Sequence, residues 1–140
     1  MAGWRCGAVA LLLGWGFAAS AQDVRPQSLQ MYGGTYSTDC RNAAAPRLRI
    51  SAEALVIEQG ARRQLGRGVM DSYTSFGGAP TSPVPPGYVM EFISDAFSFY
   101  VFQDQAGLYI EPAAGAPSAA AVIGKANMQA RFRRCAADAR

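Results

Sequence analysis

Histidine is absent from this 140-residue sequence, and lysine occurs only once, as Lys125. The absence of histidine excludes Ser-His-Asp and Cys-His catalytic groups, proton transfer by imidazole, and the commonest ligands of zinc and copper. No phosphate-binding, dinucleotide-binding or calcium-binding motif is present either. We therefore predict no catalytic residue, no cofactor and no metal site.

Long apolar runs are also scarce, and the most pronounced one lies at residues 6–17. It follows a short head whose single charge is Arg5, and it precedes small residues with Ala19 and Ala21 at the cleavage positions. This order predicts a cleavable signal peptide over residues 1–21. The run is shorter than the roughly 20 residues that a membrane-spanning helix needs. We therefore expect one exported domain, residues 22–140, with no membrane span in the mature chain.

The net charge is small, because the sequence has 13 basic and 10 acidic side chains, and removal of Arg5 with the signal peptide leaves 12 basic and 10 acidic ones. Such a balance gives no reason to expect nucleic acid or an acidic membrane surface as a partner. Nearly all basic residues are arginine and alanine is abundant, which indicates a GC-rich bacterial genome. The expected location is therefore the periplasm, or the medium if the protein is secreted.

Only two cysteines, Cys40 and Cys135, remain after the signal peptide. In an oxidising compartment an even pair predicts a disulfide, and the C-x-x-C spacing of redox enzymes is absent. A bridge that closes a loop of about 95 residues stabilises a fold by roughly 4–5 kcal/mol in the chain-entropy model. We expect this bridge to hold the C-terminal strand beside the N-terminal one.

Short segments with alternating or β-branched and aromatic residues dominate the rest of the chain, which predicts an all-β fold. We expect a short N-terminal helix over residues 26–32 and about seven or eight strands in an antiparallel barrel or a two-sheet sandwich. The segment at residues 113–121 is small and flexible in composition. Strands are expected near residues 47–50, 54–58, 61–65, 88–94, 97–103, 108–111 and 128–134, and the segments 35–37 and 69–76 are expected to be extended.

Residues 77–87, GGAPTSPVPPG, contain four prolines and three glycines and cannot continue a helix or a strand. A proline-stiffened loop loses little entropy when it docks, so this segment is the best candidate for recognition. A variable surface loop without function is the alternative. The predicted binding residues are Tyr73, Phe76, Pro80, Pro83, Pro85, Pro86 and Tyr88.

Alternation within residues 97–103 places Tyr100 and Phe102 opposite Phe97, Phe99 and Val101. If the latter three face the core, either a second sheet covers Tyr100 and Phe102 or they form an exposed recognition patch.

The same alternation predicts that Arg131 and Arg133 share one face of the last strand. Two neighbouring guanidinium groups suit a carboxylate or phosphate, although a solvated strand face has the same pattern.

These features favour a non-enzymatic periplasmic binding protein, an inhibitor or immunity-type protein that acts on another envelope or secreted protein. A small-ligand carrier with an aromatic-lined barrel is the first alternative. The second is a hydrolase that uses two carboxylates drawn from Glu91, Asp95, Asp104 and Glu111.

Overall fold

The computed structural model describes residues 23–74, 84–113 and 117–136. The predicted signal peptide therefore lies outside the described residues, as do Phe76, Pro80 and Pro83 of the predicted binding segment. In the part of the chain that the structure describes, no helix is both long enough and apolar enough to cross a membrane.

Short strands dominate the described residues, together with two helices and one 3-10 helix. The helices are α1 (Pro26–Tyr32) and α2 (Pro117–Ile123), and the 3-10 helix spans Lys125–Gln129. The strands are β1 (Gly34–Ser37), β2 (Arg47–Ile50), β3 (Leu55–Gln59), β4 (Arg62–Gly66), β5 (Met70–Ser72), β6 (Tyr88–Ile93), β7 (Ser98–Asp104), β8 (Gly107–Pro112) and β9 (Phe132–Arg134).

The strands form one antiparallel sheet that curls into a half-barrel, in the order β4-β3-β2-β1-β9-β8-β7-β6-β5. Two meanders, β1–β4 and β5–β8, therefore lie side by side, and β9 joins them by pairing with β1 and β8. The predicted all-β fold and the N-terminal helix are confirmed in outline. The described residues form one continuous half-barrel sheet instead of a closed barrel or a two-sheet sandwich, and it has nine strands instead of seven or eight.

The core covers the inner face of this sheet, because alternate residues of each strand point to it. In β2 and β3, Leu48 lies opposite Ile57 and Ile50 opposite Leu55, and all four side chains are buried. Helix α2 adds Ala119, Val122 and Ile123 to the same cluster. The largest fully buried side chains are Tyr36, Phe92, Phe99, Phe132, Leu48, Ile50, Leu55, Ile57, Met90, Ile110, Ile123 and Val101.

A disulfide joins Cys40 to Cys135, whose Cα atoms are 5.5 Å apart, so the predicted bridge is confirmed. It lies where β1 pairs with β9, and the Cys135 N–H donates to the Thr35 carbonyl at 2.8 Å. The C-terminal strand is thus fixed beside the N-terminal one, as expected.

Two segments near the C-terminus differ from the expectation. Residues 117–123 form α2, whereas we predicted a flexible stretch over residues 113–121. Alanine is the best helix former and proline suits the first helical turn, which explains this helix. The predicted strand over 128–134 is shortened to β9 because the 3-10 helix extends to Gln129.

Candidate functional site

The outer face of the sheet, opposite the core, carries a second cluster of aromatic side chains. Tyr100, Phe102 and Tyr109 lie there with 8%, 5% and 7% of their surface exposed. Phe99 and Val101 belong to the inner cluster, so the predicted division of strand β7 between two faces is correct. The described strands form one sheet and no second one, so these outer rings and the core lie on opposite faces of the same sheet.

Strand register places these rings in one line with charged residues from the other meander. We call this line the outer row. It crosses eight strands and consists, from β4 to β6, of Arg63, Glu58, Arg47, Ser37, Arg133, Tyr109, Phe102 and Tyr88. The row is therefore charged and polar on the first meander, and aromatic on the second.

The aromatic part of the outer row is a ladder of ring contacts. Phe102 stacks on Tyr109 with 5.2 Å between ring centroids, and Tyr88 meets Phe102 edge to face at 6.0 Å. Burial, together with the smaller effects of the neighbouring Glu91 and Tyr100, raises the pKa of Tyr88 to about 12. Such rings provide a rigid apolar base for the residues around them.

At the centre of the outer row, two arginines bind one carboxylate. Arg133 donates to both oxygens of Asp104, at 2.9 and 2.6 Å, and Arg131 donates to Oδ2 at 2.8 Å. Both guanidinium groups also lie over the Tyr109 ring, with Cζ 4.8 and 5.0 Å from its centroid. The hydrogen bond from Arg133 is the main reason that the pKa of Asp104 falls to about 2.

Arg131 and Arg133 therefore share one face, as their spacing predicted. Of the alternatives left open for them, they bind a carboxylate, and that carboxylate belongs to the chain itself. Asp104 ends β7, so this contact ties β9 to the second meander. The disulfide ties β9 to the first meander. Both sides of β9 are thus reinforced by side chains as well as by backbone pairing.

The polar part of the outer row is held more loosely. Arg63 lies 3.7 Å from Glu58, and half of its side-chain surface is exposed. Arg47 donates to the carbonyls of Cys40, Asn42 and Ala43 at 3.2–3.4 Å, and so supports the loop that carries the disulfide.

The C-terminal base of the proline-rich segment is fixed to the aromatic part of this face. The Gln103 N–H donates to the Gly87 carbonyl at 2.8 Å, and the Tyr88 N–H donates to the Pro85 carbonyl at 3.1 Å. Gly87 has a φ of +80°, and a Cβ atom there would collide with the Gln103 carbonyl oxygen. Glycine is therefore required where the segment enters β6. Pro86 is exposed beside it.

Tyr73 lies elsewhere. Its ring packs under the Arg25 guanidinium, 4.2 Å from Cζ, close to the start of α1. Arg25 also binds Asp71 at 2.7 Å, and an open cavity of about 290 Å³ is lined by Asp23, Arg25, Met70 and Asp71. Tyr73 therefore contacts Arg25 near α1, whereas Tyr88 contacts Phe102 on the outer face.

Two of the four candidate carboxylates flank Tyr100 on the outer face, because Glu91 and Glu111 both lie opposite it in the register. Glu91 is buried, and burial raises the pKa of Glu111 despite the opposing charge of Arg131. The remaining two have structural partners. Asp95 accepts the Arg67 N–H at 2.7 Å, and Asp104 holds the two arginines.

No protein-family model, no curated protein and no solved structure matches this chain. The site is therefore argued from its own residues. Sequence reasoning missed Arg63, Glu58, Arg47 and Ser37 as members of one row. The alternation of Arg47 and Arg49 with buried residues was a visible signal, but only strand register shows that Arg47 lies in line with Arg133, with Ser37 between them.

Proposed function

We propose that this chain is an exported, non-enzymatic binding protein of the bacterial envelope. It recognises another envelope or secreted protein in the manner of an inhibitor or an immunity protein. In this proposal residues 1–21 are its signal peptide and residues 22–140 its single mature domain. The Pro/Gly-rich segment of residues 77–87 makes the recognition contact.

One observation carries the proposal: the base of this segment is locked onto a rigid part of the sheet. Gly87 is hydrogen-bonded to Gln103 of β7, and the next residue, Tyr88, begins the stacked ladder of the outer row. A recognition loop binds best when its ends are held by a stable scaffold, because less freedom is then lost on binding.

The described end of the segment suits this role. Of the predicted binding residues there, Pro86 is exposed, and Val84, close to it in the chain, has 51% of its surface accessible. Proline and aromatic side chains lose few rotatable bonds when they enter a partner's pocket.

The two alternatives, a small-ligand carrier and a hydrolase, have weaker support. A carrier needs free space inside the half-barrel, and the inner face is covered by large, fully buried side chains. A hydrolase needs two carboxylates that reach substrate and water, and Glu91 has only 2% of its surface exposed.

The direct test replaces residues 78–86 by a short glycine-serine link and leaves Gly87 and Tyr88 in place. Wild type and variant are immobilised and exposed to the same periplasmic extract, and captured proteins are identified by mass spectrometry. We expect the partner captured by the wild type to be lost from the variant, because the recognition contact has been removed.

A turn on another part of the sheet supplies the control. Ala52→Gly with Glu53→Ser changes exposed residues of the β2–β3 turn and should leave capture intact. Equal thermal stability of the three proteins shows that the fold is retained. Capture of the same partner by the loop-replaced variant would refute the proposed role of the segment. Retention of a small molecule in native mass spectrometry would instead favour the carrier.

A further inference from the structure

The excess positive charge of the domain is concentrated on the outer face of the first meander. Arg47, Arg49 and Arg63 lie on β2 and β4, and the one carboxylate facing them is Glu58. This net charge of +2 equals that of residues 22–140 as a whole, which have 12 basic and 10 acidic side chains. The distribution of charge is therefore uneven although the total is small.

Three guanidinium groups on this side of the molecule are largely exposed to solvent. Arg63 and Arg131 have 50% and 58% of their side-chain surface exposed, although Arg63 lies 3.7 Å from Glu58 and Arg131 donates to one oxygen of Asp104. Arg49 is exposed, and among the described residues it has no ion pair or side-chain hydrogen bond. Arg47 and Arg133 are held more fully, by three backbone carbonyls and by both oxygens of Asp104. We call Arg49, Arg63 and Arg131 the basic patch.

The spacing of the basic patch suits an extended ligand. One strand separates Arg63 on β4 from Arg49 on β2, and one strand separates Arg49 from β9, which Arg131 precedes. Neighbouring strands are about 4.8 Å apart, so the backbones of successive members are about 10 Å apart or more. An extended chain with several acidic groups can contact such positions in turn.

Carboxylates are the acidic groups that the patch fits best. Guanidinium groups form paired hydrogen bonds with carboxylates, as Arg133 already does with Asp104. Duplex DNA carries one charge per about 1.7 Å of its axis and is bound by dense basic clusters, unlike three arginines spread over the sheet. Val56 on β3 lies between Arg49 on β2 and Leu65 on β4, and pairs with both. Leu65 has 42% of its surface exposed. An apolar side chain at this place favours a protein ligand.

We propose that the basic patch is a docking surface for an extended acidic segment of a partner protein. The inference deepens the proposed function and rests on it, because it assigns a chemistry to the partner that the Pro/Gly-rich segment recognises. The segment and the basic patch contact the same partner at separate places.

The test measures binding of a labelled peptide in which Glu-Gly-Ser is repeated six times, by fluorescence anisotropy at low salt. The matched peptide carries glutamine in place of glutamate. We expect the glutamate peptide to bind and the glutamine peptide to fail. Affinity should fall as salt rises from about 50 to 200 mM, because exposed charges are screened.

A pair of double variants locates the site. Arg49→Gln with Arg63→Gln should weaken binding of the glutamate peptide about tenfold, since two charge-assisted contacts are lost. Arg67→Gln with Lys125→Gln removes the same charge from exposed positions outside the patch and should change the affinity less than twofold. Exposed arginines contribute little to folding, so both variants should keep the wild-type melting temperature.

Three results would overturn the proposal. They are the absence of binding by the glutamate peptide, an equal loss in both double variants, and tighter binding of single-stranded DNA or of anionic phosphatidylglycerol vesicles through the same arginines. The variant with residues 78–86 replaced should bind the peptide like the wild type. Failure of the patch is thus distinguishable from failure of the Pro/Gly-rich segment in partner capture.

Discussion

The two meanders share an inner face of the same kind, but their outer faces differ. In β1–β4 the outer side chains are three arginines, Glu58, two small hydroxyl residues, Val56 and Leu65, and of the arginines Arg49 and Arg63 are exposed. In β5–β8 they include stacked rings that are almost fully buried. The inner face is therefore set by the common need for a core, whereas the outer face packs aromatic rings in one half and carries exposed charge in the other.

Strand β9 is the boundary between these two halves. It is three residues long, and it is held to β1 by a disulfide and to β8 by the contact of two arginines with Asp104. A strand this short forms few backbone pairs, so these side-chain links carry much of the attachment. The predictions below break the links or compare the two faces, from the largest expected effect to the smallest.

Removal of the disulfide should have the largest effect on stability. Cys40→Ser with Cys135→Ser frees β9 from β1, and we expect the free energy of unfolding to fall by about 4–5 kcal/mol, the value for a loop of this length. Urea titration followed by circular dichroism measures the change. An unchanged midpoint would mean that β9 is held by its other contacts alone.

Truncation of one ring on each face of β7 compares the two clusters directly. Phe99→Ala opens the inner core and should cost about 4 kcal/mol, whereas Phe102→Ala should cost about 2–3 kcal/mol because it removes a ring from a smaller cluster. Both residues are nearly inaccessible to solvent, so exposure alone does not explain the difference. Equal losses in urea titration would show that the outer cluster is as important to folding as the core.

Gly87→Ala tests the attachment of the Pro/Gly-rich segment. We expect a loss of about 2 kcal/mol, because alanine at positive φ is strained and its Cβ atom would meet the Gln103 carbonyl. Gly68→Ala is the matched control, with a φ of +64° and open space around it, and should cost about 1 kcal/mol. Thermal unfolding of the two variants measures the difference, which vanishes if the Gly87 contact is unimportant.

Asp104→Asn should have a smaller effect that depends on pH. The pKa of Asp104 is about 2 in the folded protein, against about 3.9 for an ordinary aspartate. A lowered carboxyl pKa stabilises the fold above the ordinary value, and this contribution is lost as pH falls through the folded value. The difference in melting temperature between wild type and variant should therefore be constant above about pH 5 and shrink between pH 4 and 2. A difference that persists at pH 2 would contradict the ion-pair account.

The sequence predicts the inner face well and the outer face poorly. Alternation in segments such as 47–50 and 97–103 located β2 and β7 and divided their residues correctly, because burial acts on every second residue. The outer row could not be predicted, since it depends on the register of eight strands and on β9 lying between β1 and β8. Helix α2 was missed because its small residues, dominated by alanine, resemble those of a flexible loop.

Of the candidate binding residues, local chemistry indicated the Pro/Gly-rich segment and its neighbour Tyr88. It did not indicate that Tyr73, close in the chain, turns toward Arg25 and α1. The spacing of Arg131 and Arg133 was enough to predict that they share a face, but it did not decide between a carboxylate, a phosphate and solvent, and it could not show that Asp104 of another strand is the ligand.

The central claim is that the outer face of the first meander binds a partner while that of the second packs the protein together. Titration of the Glu-Gly-Ser peptide into labelled protein, followed by NMR of the arginine Nε–H groups and the tyrosine rings, tests it most directly. We expect the signals of Arg49, Arg63 and Arg131 to move on a common binding curve, while those of Tyr88 and Tyr100 stay in place. Movement of the tyrosine signals with unchanged Arg49 and Arg63 would contradict the claim.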